Sequence, residues 1–344
     1  MASPALARTQ TPTQTQTISN PLRFDWLMAL LSTWFVGGLF VDGWAHTHDK
    51  VDQSFFTPWH GILYSGWMVV ALFLIIHALV GRSRGATWRT ALPQGYFLSL
   101  VGAIGFGVGG LADMAWHIAF GIERGTEALL SPSHLLLAVS MGLVVSGPFR
   151  ARLHNPAKDF VHQLPAVVSL ALVLGVAAFF TQATHPAAQL WGVWGLHGYR
   201  DDDFAATALL LAGCTFATAT LFTLKLGKPM PGAFTLIFGL SAFGMGFLND
   251  QIYPDKVVYA FVLGGLVLDG ICAVLTKAQL QTRAAVLGAL TPVVLLGAYF
   301  AAGHFLLGGL AWRIHFWGGM LTMTALGGLL LSQLTERAMP SHLA

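Results

Sequence analysis

The chain has 344 residues, of which 55% are hydrophobic and only 10% are Asp, Glu, Lys or Arg, with a mean hydropathy of +0.65. A water-soluble domain of this length cannot cover its surface with so few charges, so lipid is the solvent for most of the chain. The formal net charge of +3 comes from basic residues scattered over short turns, which argues against a nucleic-acid surface.

In chain order, residues 1–20 are rich in Ser, Thr, Gln and Pro and read as a disordered cytoplasmic tail. Ten apolar stretches follow, each long enough to cross a bilayer as a helix, at 25–46, 59–80, 95–118, 132–150, 164–184, 203–224, 232–249, 257–276, 284–307 and 312–334. None shows the alternation of a barrel strand. The expected fold class is an all-α integral membrane protein of about ten transmembrane helices, with a single polytopic domain over 21–338. Within it, 21–150 reads as duplicated metal-binding hairpins and 151–338 as further helical hairpins. A re-entrant break fits the short connection at Gly308-Gly309. The first stretch is too long for a cleaved signal peptide. Cys214 and Cys272 fall inside apolar stretches, which suits packing better than a disulfide.

Thirteen of the 18 Lys and Arg residues, among them Arg82, Arg84, Arg89, Arg150, Arg152 and Lys225, fall on the side that holds the N-terminus. The other side carries five: Lys50, Arg124, Arg200, Lys256 and Arg313. The positive-inside rule then makes both termini cytoplasmic, in a plasma or inner membrane. Acids such as Asp42, Asp49, Asp113, Asp202 and Asp255 gather on the opposite, outer face.

One phrase on that face occurs twice. Asp42-Gly-Trp-Ala-His46 ends the first stretch, and Asp113-Met-Ala-Trp-His117 ends the third. After a polar loop each is answered by a helix start, Thr57-Pro58-Trp59-His60 and Ser131-Pro132-Ser133-His134. Asp and His at i,i+4 share one helix face. Thr57 and Ser131 suit an N-cap, with proline at the first helical position. Antiparallel neighbours then bring one carboxylate and two imidazoles together, in each copy. The offset from Asp42 to Asp113 suggests a duplicated hairpin of about seventy residues. An acid inside an apolar stretch costs several kcal/mol unless partnered, so the two sets, Asp42, His46, His60 and Asp113, His117, His134, read as metal ligands, with structural Asp–His hydrogen bonding as the alternative. Two imidazoles and a carboxylate suit copper, zinc or non-haem Fe(II).

Asp42, His46 and Phe55-Phe56-Thr57-Pro58-Trp59-His60, followed by Gly61 and Tyr64, resemble the C subunit of the membrane-bound copper monooxygenases, which oxidise methane, ammonia and short alkanes. The likeness covers about residues 38–142. It implies copper at the first set and a second copper site nearby, where Asp113 stands in place of the family's Asn. It also implies oxygen chemistry on a small apolar substrate, within an assembly of partner subunits or a homo-oligomer.

Further outer-face groups read as supporting or structural: His48, Thr181 and His185 (again i,i+4), Asn249, Asp250, His304 and His315. Two other functions remain open. A b-type haem electron-transfer protein could use the four histidines, but haem has no use for the acids. A metal-stabilised transporter or scaffold would favour polar residues at the midplane, where Asp269 is the main exception in a nearly uncharged middle.

Overall fold

In the computed structural model, residues 21–50, 57–121, 129–156, 159–189, 202–248 and 254–337 are described. They form eleven α-helices: α1 Pro21–Thr47, α2 Pro58–Ser83, α3 Phe97–Phe120, α4 Pro132–Val145, α5 Gly147–His154, α6 Phe160–Phe180, α7 Asp202–Leu224, α8 Ala233–Leu248, α9 Pro254–Val274, α10 Leu280–Leu306 and α11 Ile314–Arg337. All ten apolar stretches of the sequence are helical. Eight are single helices long and apolar enough to cross a membrane. The fourth stretch is the pair α4 and α5, bent by 41°, and the seventh is the 16-residue α8.

Chain neighbours pack as hairpins, α1 on α2, α3 on α4, α8 on α9 and α10 on α11. α6 joins the halves by packing against α1, α4, α5 and α8; 72% of its apolar window is buried, against 17% for α11, so α6 is central and α11 peripheral. Without a hydrophobic force between helices in lipid, close approach of backbones holds such pairs. A Cβ at Gly38 would stand 2.7 Å from Leu63 Cα, and one at Gly66 2.7 Å from Phe35 Cα. This doubled contact draws α1 and α2 together along the faces that lead to Asp42 and His60.

Several polar groups buried among these helices are answered from other segments of the chain. Gln163 of α6 donates to Lys228 O and accepts from Met230 N, pinning the α7–α8 turn. Tyr96 donates to Asp25 at 2.6 Å. Arg150 of α5 donates to Gly95 O, Ser99 Oγ, Leu143 O and Ser146 Oγ, and so holds the bend between α4 and α5. Asp269, from α9, accepts from the Phe234 and Thr235 amides and the Thr235 hydroxyl at the start of α8. A side chain of one helix thereby caps the next, in the way an N-cap residue satisfies the first free N–H groups.

Two expectations along this frame change. Thr181 and His185 do not share a helix face, because α6 stops at Phe180 and a 3₁₀ turn, Gln182–Thr184, follows. His185 precedes Pro186 and is extended, at φ −88° and ψ 125°, as the clash with a following proline ring requires. Near Gly308-Gly309 the chain turns between α10 and α11, with φ of +93° and +108° at the two glycines. Cys214 and Cys272 are both free.

Candidate metal centre

The local rules that place the six residues are the same in both copies. Thr57 is extended (φ −97°, ψ 156°), and its hydroxyl accepts from the His60 amide at 3.2 Å. Ser131 is extended (φ −61°, ψ 146°) and accepts from the His134 amide at 3.3 Å. Each cap, with proline next, sets its histidine in the first turn of α2 or α4. The partner helices α1 and α3 end there, presenting Asp42 and His46, or Asp113 and His117, one turn apart on one face.

The side chains converge as the repeat implies. In the first cluster Asp42 Oδ2 lies 3.4 Å from His60 Nε2 and 3.9 Å from His46 Nε2. In the second, Asp113 Oδ2 lies 3.4 Å from His117 Nε2, and Asp113 Oδ1 lies 3.5 Å from His134 Nδ1. Within each cluster, one ligand atom from every residue lies within 4.8 Å of the others. A charge-assisted N–H···O bond is about 2.7–2.9 Å. Two ligand atoms at about 2.0–2.1 Å from a shared tetrahedral ion stand about 3.3–3.4 Å apart. The two 3.4 Å separations, Asp42 to His60 and Asp113 to His117, match the second arrangement better than the first.

The clearest demand for a cation comes from Asp42. Its Oδ1 is buried and has no hydrogen-bond partner among the described residues. A buried carboxylate oxygen left so costs about 1–3 kcal/mol or more, and a cation held by Asp42, His46 and His60 would offset that cost. The donor set of hard oxygen and borderline imidazole nitrogen fits copper, zinc or iron(II).

The clusters are neighbours. The charges of Asp42 and Asp113 act on each other, and His46 feels His60, His134, His117 and Asp113. Tyr64 occupies the space between them. It follows His60 by one turn of α2, its ring 6.3 Å from the imidazole, wedged against Trp67 and Phe106. A Cβ at Gly110 of α3 would stand 2.7 Å from its hydroxyl oxygen, so only glycine leaves room there. Asp113 follows Gly110 by one helical turn on the same face of α3, and both carboxylates act on Tyr64. In the sequence Tyr64 is only a residue trailing the motif; the glycine three positions before Asp113 is the signal that pairs them.

Ser133 is the other residue whose role the sequence alone leaves unread. It donates to Asp113 Oδ1 at 2.8 Å and lies 3.1 Å from Ser131 Oγ, which is 2.7 Å from His134 Nδ1.

The other residues expected at that face stand apart from the six. His48 turns back to Trp44, with Nδ1 2.8 Å from its carbonyl and the rings stacked at 4.7 Å. His185 is buried among α7, α8 and α9: Ala187 N–H donates to its Nδ1, Ser241 Oγ is 3.5 Å from Nε2, and Phe216 and Phe261 flank the ring. Thr181 bonds back to Ala177 O. His304 and His315 are exposed, the former edge-on to Phe305. Asn249 and Asp250, and Phe55-Phe56 of the motif, lie outside the described residues. No family model, curated protein or solved structure matches the chain.

Proposed function

We propose that the chain is a copper-dependent, oxygen-using membrane oxidoreductase, or the metal-bearing subunit of one, with both clusters at the outer face of the plasma or inner membrane. The observation that carries the metal reading is the pair of His₂Asp clusters, one of them with a buried carboxylate oxygen that lacks a hydrogen-bond partner among the described residues. The choice of copper rests on the resemblance of the Asp42–His60 segment to the C subunits of the copper monooxygenases. The outer face rests on the distribution of Lys and Arg.

When bound, copper supplies one-electron chemistry with oxygen. The protein's part is to hold it and to control access. Asp42, His46 and His60 hold one ion; Asp113, His117 and His134 hold the other. Around the second cluster Ile118, Phe120, Leu130 and Leu135 are exposed apolar side chains, which supports lateral entry of a small apolar substrate from lipid. A haem reading is the weaker one. Each pair of imidazoles shares one carboxylate within 4.8 Å, and bis-histidine haem ligation has no use for that acid.

The test is metal content by mass spectrometry of purified protein beside the His60→Ala/His134→Ala variant, with an optical spectrum of both. Copper near two per chain, lost in the variant and without a Soret band, supports the reading. Failure to take up copper, iron or zinc on reconstitution overturns it and leaves the clusters as structural hydrogen bonds.

A further inference from the structure

The three hydroxyl contacts at the second cluster have one consistent assignment of protons. Ser133 has a single O–H, and it points to Asp113 Oδ1 at 2.8 Å, since the carboxylate can only accept. The 3.1 Å contact between Ser133 and Ser131 then needs the Ser131 proton, with Ser133 Oγ accepting. That leaves Ser131 Oγ as an acceptor toward His134 Nδ1 at 2.7 Å, so the ring nitrogen carries the hydrogen. Ser131 also accepts from the His134 amide, which fills its two lone pairs and its one donor. The chain runs His134 Nδ1–H to Ser131, Ser131 to Ser133, and Ser133 to Asp113, with every proton used once.

We infer that Ser131 and Ser133 form a hydroxyl relay that locks His134 in the Nδ1–H tautomer, so that Nε2 keeps the lone pair a metal needs. The inference rests on the metal reading of the second cluster and makes Ser133 a positioning residue. It links two ligands of one site, imidazole to carboxylate, through side chains that are themselves buried. Orientation of a ligand histidine through its other nitrogen is how surrounding groups set tautomer and basicity. In the first cluster Trp59 stands where Ser133 does, so the same pair of hydroxyls is not available there.

Histidine nitrogen NMR of ¹⁵N-labelled, metal-free protein tests it directly, with His134→Gln identifying the signal. The expected result is Nδ1–H in the wild type. Ser133→Ala frees the Ser131 proton to turn toward Nδ1 and moves the ring to Nε2–H, while Ser133→Thr restores the wild-type spectrum. Zinc titration of the same samples should show the second cluster weakened about 10–100-fold in Ser133→Ala, with the first unchanged. An Nε2–H tautomer in the wild type, or in its zinc-loaded form, overturns the relay, as does a Ser133→Ala spectrum identical to wild type. The expected tautomers without zinc uptake at either cluster overturn the metal reading instead and leave the hydrogen-bond relay standing. Ser133 sits outside the cap contact, so its removal leaves α4 capped by Ser131.

Discussion

The two clusters are built by the same local grammar and differ in the state of their carboxylates. Asp113 is already hydrogen-bonded through Oδ1, whereas Asp42 Oδ1 is buried with no partner among the described residues. One position accounts for the difference. Ser133, two residues after its cap, reaches the acid; Trp59, two after Thr57, instead donates to Lys50 O at 3.3 Å and packs edge-on against Trp44 at 6.0 Å. A repeated backbone can therefore present two sites of different chemistry, because the cap fixes where the histidine goes and a neighbouring side chain fixes how the acid is held.

The strongest way to break the comparison is to remove one ligand at a time. His60→Ala should lose the ion of the first cluster and keep that of the second, and His134→Ala the reverse, as read by bound metal per chain. Loss of both ions in either variant would show a single shared site rather than two. Next in size is Gly38→Leu. The added side chain meets Leu63 backbone, and overpacking of that kind costs about 1–3 kcal/mol or more; thermal unfolding in detergent should fall, and the first cluster should lose affinity before the second.

His185 extends the comparison to a buried imidazole with no acid set beside it among the described residues. Burial alone pushes its pKa down to about 3, from an ordinary 6.5. The unfolded chain therefore binds the extra proton across that window. Stability from this group is complete above pH 6.5 and is lost as pH falls toward 3, at up to about 1.4 kcal/mol per pH unit. At pH 5 the loss should be about 2 kcal/mol, and His185→Phe should flatten that slope in denaturation curves taken from pH 7.5 to 5.

The smallest effect is the sharpest. In metal-stripped protein, Asp42→Asn should stabilise the fold by about 1 kcal/mol by removing a buried charge with an unanswered oxygen. Asp113→Asn should destabilise it by about as much, because Ser133 loses a charged acceptor. Equal signs in unfolding measurements would mean that the carboxylates are held alike.

Much of this was legible from residue order. Apolar runs located all ten helical stretches, and Thr57-Pro58 and Ser131-Pro132 foretold the caps that aim His60 and His134. What was not legible depends on contacts between distant segments. The bend at Ser146 is held by Arg150 reaching back to Leu143 and across to Gly95 and Ser99, and no periodicity reports that. The pairing of Tyr64 with Gly110 joins α2 to α3 through a missing side chain. Ser133 looks like any polar residue in a first helical turn until Asp113 is placed beside it. The i,i+4 reading of Thr181 and His185 failed for a local reason, since Pro186 already disfavoured helix at His185.

Asp269 bears on how such a chain is made. At 16 residues, α8 is about 24 Å long, short of a hydrocarbon core of about 30 Å. Its opening amides are answered by a carboxylate that lies 34 and 35 residues further along. During synthesis α8 emerges first, before the carboxylate that answers those amides has been made. The helix gains its cap only when α9 arrives, so the two should leave the insertion machinery as a pair, joined through Asp269.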